Sequence, residues 1–211
     1  MDFEEWEPIY ERIVEEFGFS RQADEEAARL LNDLLSKKDE CPLELLRRKL
    51  SGGVTVCGNA PGLEEELSSA DLSGTIIAAD GATSALMHVA GRVPDVIVTD
   101  LDGDVADQLA ASAQGAIVVI HAHGDNMDAL RRYVPRFSGK VMGTTQSRPF
   151  GRLHNFGGFT DGDRAVLMAR HLGATVRLIG FDFETARPKE GRDDATKRRK
   201  LAWARRLISE H

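Results

Sequence analysis

DVIVTDLDGD, residues 95–104, runs from an uninterrupted β-branched stretch straight into three carboxylates within five positions. A strand with no polar residue between Val96 and Val98 is the kind that is covered on both faces, and the acids then mark the point where it leaves the sheet. The same pattern recurs on either side: VTVCG (54–58), TIIAAD (75–80), AIVVIHA (116–122), KVMGT (140–144) and TVRLIGFD (175–182). Between these runs lie LEEELSSA, TSALMHVAG, VADQLAASA, MDALRRYV and DRAVLMARHLG, each apolar on one helical face. This alternation predicts an α/β fold, a Rossmann-like three-layer sandwich with a mostly parallel sheet and helices on both sides.

The flanks read differently. Ile9, Ile13 and Phe17, then Leu30, Leu31, Leu34 and Leu35, fall at helical spacing and predict a helical N-terminal segment over 1–50, interrupted by Pro42 and closed by SerGlyGly at 51–53. The α/β core is expected over 51–185. Residues 186–211 are expected to form a basic C-terminal helix packed on the core. The tail from 187 to 206 carries nine basic and three acidic residues within a chain of net charge −7. That overall acidity argues against a nucleic-acid or anionic-membrane surface. No apolar run approaches the ~20 residues of a membrane span, and the acidic first residues do not resemble a signal peptide; a cytoplasmic protein is expected. Cys41 and Cys57 make neither a CxxC nor a disulfide framework and are expected to be buried or neutral thiols.

In a parallel sheet, ligands collect at the carboxyl ends of strands. Acids gather there: Asp80 after IIAA, Asp100 and Asp102 after VIV, and Asp125 with Asp128 after VVIHAHG. On an extended backbone Asp100 and Asp102 would share one side, ~6.5 Å apart, and repel by ~2.5 kcal/mol at an effective dielectric of 20. Arg or Lys side chains, raised pKa values or a hard cation could offset this. Bases are sparse nearby, so Mg²⁺ is favoured, with Asp80, Asp100, Asp102 and Asp125 as its ligands. The plainer reading makes the same acids helix caps and solvated turn residues.

VTVCGNAPG offers Gly58, Pro61 and Gly62 to let backbone N–H groups approach an anion at a helix start, although Glu64, Glu65 and Glu66 would repel one and a purely structural turn fits as well. HNFGGFTDGD (154–163) combines aromatic rings with hydrogen-bonding groups, which suits a flat heterocycle stacked on one face and read along its edge. His121, His123 and His154 lack a metal-binding partner motif and are expected in structural or substrate-contact roles. Lys197 and Lys200, three apart in the tail, could fold back toward phosphate.

The series ADGATSAL (79–86), GRVPDVIVTDLDGD (91–104) and HGDNMDAL (123–130) resembles thiamin pyrophosphokinase. With VCGNAPG, NFGGFTDGDRAV, LIGFDFE and TKRRKL added, it is more similar to the archaeal 6-hydroxymethyl-7,8-dihydropterin pyrophosphokinase family, over roughly residues 50–205. Only some thirty residues follow LIGFDFE, too few for the β-sandwich of the thiamin enzymes. The resemblance implies transfer of a pyrophosphoryl group from ATP to the hydroxymethyl dihydropterin, with Mg²⁺, yielding AMP and the dihydropterin methyl diphosphate in pterin biosynthesis. It implies catalytic roles for Asp100, Asp102, Asp125 and Asp128. ATP would be bound by Gly58, Asn59, Gly62, Asp80, Gly81, Lys197 and Lys200. Asn155, Thr160 and Asp161 would meet the pterin edge, with Phe156 or Phe159 stacking. Small molecules are the expected partners, with no nucleic acid and no membrane; a homo-oligomer is compatible with the sequence but not specified by it. DLDGD also resembles the DxDG motif of haloacid-dehalogenase-type phosphatases, and a non-catalytic MgATP-binding module is the remaining alternative.

Overall fold

The Val- and Ile-rich runs form a seven-stranded sheet in the computed structural model, which describes residues 1–185 and 194–211. The strands are β1 (Gly53–Cys57), β2 (Thr75–Ala79), β3 (Val96–Thr99), β4 (Ile117–Ala122), β5 (Val141–Thr145), β6 (Leu153–His154) and β7 (Thr175–Ile179). Their order is β6-β5-β4-β3-β2-β1-β7, and every neighbouring pair is parallel. The α/β fold with a parallel sheet is as expected. The two-residue β6 is an addition, too short to leave a periodic signal.

Helices α4 (Leu63–Ser69), α5 (Ala82–His88), α6 (Val105–Ala113) and α7 (Met127–Tyr133) connect successive neighbours from β1 to β5. Connections of one hand that step in one direction place their helices on one face. The chain then returns through α8 (Asp161–His171) to β7, on the far side of β1, so α8 covers the opposite face. Side-chain alternation along the strands feeds both layers. Val56, Ile77, Val96 and Val98 pack toward α8 and toward α3 (Leu43–Lys49). Ile97, Val118 and Ile120 pack toward α6, α7 and α2 (Arg21–Leu35). Each such fully buried side chain contributes about 1.5–3 kcal/mol, enough to hold a charged sheet edge in place.

The N-terminal segment is helical as expected, but it divides into three. A capping box at Asp2 starts α1 (Phe3–Phe17), Gly18 ends it in a left-handed turn, and Ser20 caps α2. Pro42 opens α3 rather than merely interrupting a helix. Helix α9 (Asp194–Glu210) packs against α8 and α1, burying Ala204 and Leu207. The part of the basic tail from 186 to 193 lies outside the described residues. Both cysteines are buried free thiols. Among the described residues no helix is long and apolar enough to cross a membrane.

Candidate active site

Register decides which acids meet. Ala79 pairs with Val98 and Thr99 with Ile120, so Asp80 and Asp100 leave the sheet on neighbouring strands, beside His121, which is still paired with Thr144 inside β4. The Asp80 N–H stays on the carbonyl of Val98 at 2.8 Å, after which its backbone turns left-handed at φ 43°. Its Oδ1 accepts from Thr99 Oγ1 at 2.8 Å and from Gln108 Nε2 at 2.9 Å. Asp100 and Asp102 do not lie on an extended strand, as the spacing had suggested. Leu101 between them has φ 69°, buries its side chain, and donates its N–H to Thr99 Oγ1 at 2.8 Å. That turn still brings the acids together: one carboxylate oxygen from each of Asp80, Asp100 and Asp102 lies within 4.8 Å of the others. Gly103 is required beside them, because a Cβ there would run into the Asp80 carboxylate. The third acid of the motif, Asp104, instead caps α6 through the N–H of Ala106 at 3.0 Å.

The electrostatics follow from this crowding. Burial first, then the charges of Asp100 and Asp102, push the Asp80 carboxyl up to about 6 against the pull of its two hydrogen bonds. Burial also acts upward on Asp100, but His123 Nε2 at 3.3 Å, the Arg164 charge and the Asp102 N–H together hold it below the usual carboxylate range. Asp161 is raised well above that range by burial and by Asp100, with Arg164 opposing. Arg164 is itself buried, at 2.7 Å from Asp161 Oδ1 and 3.2 Å from the carbonyl of Phe159. Three hard oxygens, two of which raise the proton affinity of the third, form a donor set that fits Mg²⁺ better than a softer, imidazole-seeking metal.

Beside the acids opens a cavity of about 200 Å³. Gly58 and Asn59 from the first glycine turn line it, with Asp80, with Thr160 and Asp161 from the start of α8, and with Lys197 from α9. Segments more than a hundred positions apart in sequence thus share one wall. Gly58 permits the approach, since a Cβ there would stand 2.6 Å from the carbonyl oxygen of Gly180 at the end of β7. Gly81 opens α5 against the Asn59 side chain and likewise has no room for a Cβ.

Other expected site residues stand elsewhere. Asp125 is exposed on the short turn after β4 and is not among the three clustered acids. Asp128 faces solvent on α7 with its carboxylate 3.0 Å from Arg131. Gly62 sits at the start of α4, clear of the cavity wall. Lys200 lies over the rings of Phe19 and Phe159, about 5.5 Å from each centroid, rather than on the wall. Phe159 belongs to the buried cluster between α1, α8 and α9. Phe156 is 4% exposed in the main core, stacked on His154 at 5.7 Å and tilted against His171 at 5.3 Å. Asn155 spends its amide on the backbone, accepting from the Gly157 N–H at 2.8 Å and donating to the Ser147 carbonyl at 3.1 Å.

The aromatic side chains at the cavity are instead Phe181 and Phe183, with ring centroids 5.9 Å apart, at the end of β7. They stand in GFDFE, where alternate aromatics after an apolar strand were the available signal. Arg164, Thr99 and Gln108 went unassigned, whereas His123, expected in a structural or substrate-contact role, stands on Asp100.

Comparison with known proteins gives the family. A family model described as "6-hydroxymethylpterin diphosphokinase MptE-like" matches residues 29–187. Three archaeal relatives named 6-hydroxymethyl-7,8-dihydropterin pyrophosphokinase align with 99% of this chain. The protein of Pyrococcus furiosus is 47% identical over 93% of its own length, and that of Methanothermobacter thermautotrophicus 45% over 94%. The protein of Methanocaldococcus jannaschii is 36% identical over 95%. With matches of this extent, the chain belongs to the MptE-like 6-hydroxymethylpterin diphosphokinase family.

Proposed function

We propose that this protein transfers the pyrophosphoryl group of ATP to the hydroxymethyl group of 6-hydroxymethyl-7,8-dihydropterin, releasing AMP and the dihydropterin methyl diphosphate. The observation that carries the reading is the meeting of the Asp100 and Asp102 oxygens with that of Asp80, which itself lines a cavity shared with Lys197, Phe181 and Phe183. The names of the relatives supply the substrate.

Attack of a primary hydroxyl on the β-phosphorus needs in-line placement and charge neutralisation more than covalent help. Asp80, Asp100 and Asp102 would hold Mg²⁺, which supplies neutralisation of the phosphate oxygens when bound. His123 keeps Asp100 ionised and oriented. Thr99 and Gln108 fix one oxygen of Asp80, so its other oxygen faces the cluster. Lys197 places a positive charge on the cavity wall for a phosphate oxygen. Phe181 and Phe183 offer apolar faces to a flat ring, with Thr160 and Asp161 near enough on the same wall to read its edge. Asp161, whose Oδ1 accepts from Arg164 at 2.7 Å, keeps its other oxygen for a hydrogen bond with that edge. The expansion of Asp125 and Asp128 into direct roles is not needed for any of these tasks.

The test is incubation of the protein with ATP, Mg²⁺ and the hydroxymethyl dihydropterin, with nucleotides resolved by chromatography. AMP should appear in step with the pterin diphosphate. ADP without AMP would overturn pyrophosphoryl transfer.

A further inference from the structure

The turn at residues 123–126 keeps His123 on Asp100, and what keeps that turn in place lies in the N-terminal helices. Asp24, in the first turn of α2, is 3% exposed. Its Oδ1 accepts from the Gly124 N–H at 2.8 Å. Its Oδ2 accepts from the Tyr10 hydroxyl at 2.6 Å and from Gln146 Nε2 at 2.7 Å. A buried carboxylate is costly unless its oxygens are satisfied, and three convergent donors leave this one a single orientation. The neighbouring contact is as tight: a Cβ on Gly124 would stand 2.7 Å from the Cβ of Ala23. Two successive residues of α2 therefore grip one residue of the turn.

From Gly124 the contacts lead directly to the acids. The adjacent His123 places Nε2 3.3 Å from Asp100 Oδ2 and donates its backbone N–H to Asn126 Oδ1 at 3.1 Å. Asn126 Nδ2 in turn donates to the carbonyls of Asp100 at 2.8 Å and His121 at 2.7 Å. Packing of α2 on the sheet needs only its apolar face, Ala27, Ala28, Leu31 and Leu35. A carboxylate directed at a backbone N–H of the turn serves a different end.

We propose that Asp24 is a positioning residue for the acidic cluster: by anchoring Gly124 it sets His123 and Asn126 on Asp100, and so fixes the direction of the Asp100 carboxylate. The inference rests on the reading of Asp80, Asp100 and Asp102 as metal ligands. It gives the N-terminal helices a part in the site although none of their residues reaches the cavity wall.

Mn²⁺ binding to the metal-free full-length protein, followed by electron paramagnetic resonance, tests this with thermal melts in parallel. Partners that orient a metal ligand directly are worth ~10–100-fold in affinity, so Asp24→Asn, one contact further out, should weaken Mn²⁺ about three- to tenfold. Gly124→Ala should do the same with Asp24 intact, and serves if Asp24→Asn does not fold. Either change should be non-additive with His123→Ala. Tyr10→Phe, which removes a donor on the far side of Asp24, should lower the melting temperature and leave Mn²⁺ affinity within about twofold. No Mn²⁺ binding by the wild type would sink the metal reading and this inference with it. Normal wild-type binding with affinities unchanged in Asp24→Asn and Gly124→Ala, additivity with His123→Ala, or an equal loss in Tyr10→Phe would overturn the positioning role alone.

Discussion

Asp80→Asn should make the metal-free protein more stable while abolishing its hold on a divalent cation. In the metal-free fold the Asp80 carboxyl is raised from 3.8 to about 6, and a difference of about two units corresponds to about 3 kcal/mol. Coulomb's law gives the same order: at 4.8 Å, each like-charge pair repels by about 3.5 kcal/mol at an effective dielectric of 20. Asparagine keeps an oxygen in the place where Asp80 Oδ1 accepts from Thr99 and Gln108, so little is lost in exchange. A gain of about 1–3 kcal/mol should raise the melting temperature by about 3–10 °C for a chain of this size.

The sign with pH is fixed. An acid whose pKa is higher folded than unfolded lowers stability wherever it is ionised in both states. That penalty stands in full above about 6 and fades between about 6 and 3.8 as the folded state takes up its proton first. The advantage of Asp80→Asn at pH 7.5 should therefore fall to about half at pH 5. Circular dichroism melts in EDTA at the two pH values measure it. Repeated with Mg²⁺, they should show the wild type rising and the variant unmoved. A variant that melts below the wild type in EDTA at pH 7.5, or whose gain is the same at both pH values, would refute the reasoning.

Burial pushes the Cys57 thiol up to about 12, so at pH 8 it should not react with a disulfide reagent until the protein unfolds; titration with such a reagent against denaturant should show its thiol appearing only at global unfolding. Glu16 ties α9 to the end of α1, accepting from Arg199 Nε at 3.1 Å and from Trp203 Nε1 at 2.8 Å. Glu16→Ala should let Lys197 drift, raising the KM for ATP severalfold with kcat within about twofold; steady-state kinetics that show a fall in kcat at constant KM would contradict it.

How much of this could be read from the residues depended on the range of the interactions. The strand-end acids were legible because hydrophobic runs report where strands stop, and parallel neighbours stop together. Ala79 beside Val98 is enough to bring Asp80 to Asp100. What the alternation could not report was the backbone beyond the strand. In DLDGD all three acids look alike; the left-handed turn at Leu101 and the missing Cβ of Gly103 send Asp102 to the cluster and leave Asp104 to cap α6. After β4 the same ambiguity ran the other way, because the tight turn buries Asn126 and so leaves Asp125 in solvent. Aromatics were harder still. Phe156 and Phe181 both follow short strands and both pack on the same core, yet Phe156 is wholly buried while Phe181 stays partly exposed and lines the cavity, a difference that neither local sequence shows. Least legible was Asp24, an acid on a helix rich in acids. Its meaning comes from donors at positions 10, 124 and 146, which only the fold brings within 3 Å of one carboxylate. A buried charge is thus the place where local reading must fail, since its stability depends on partners that no window of sequence contains.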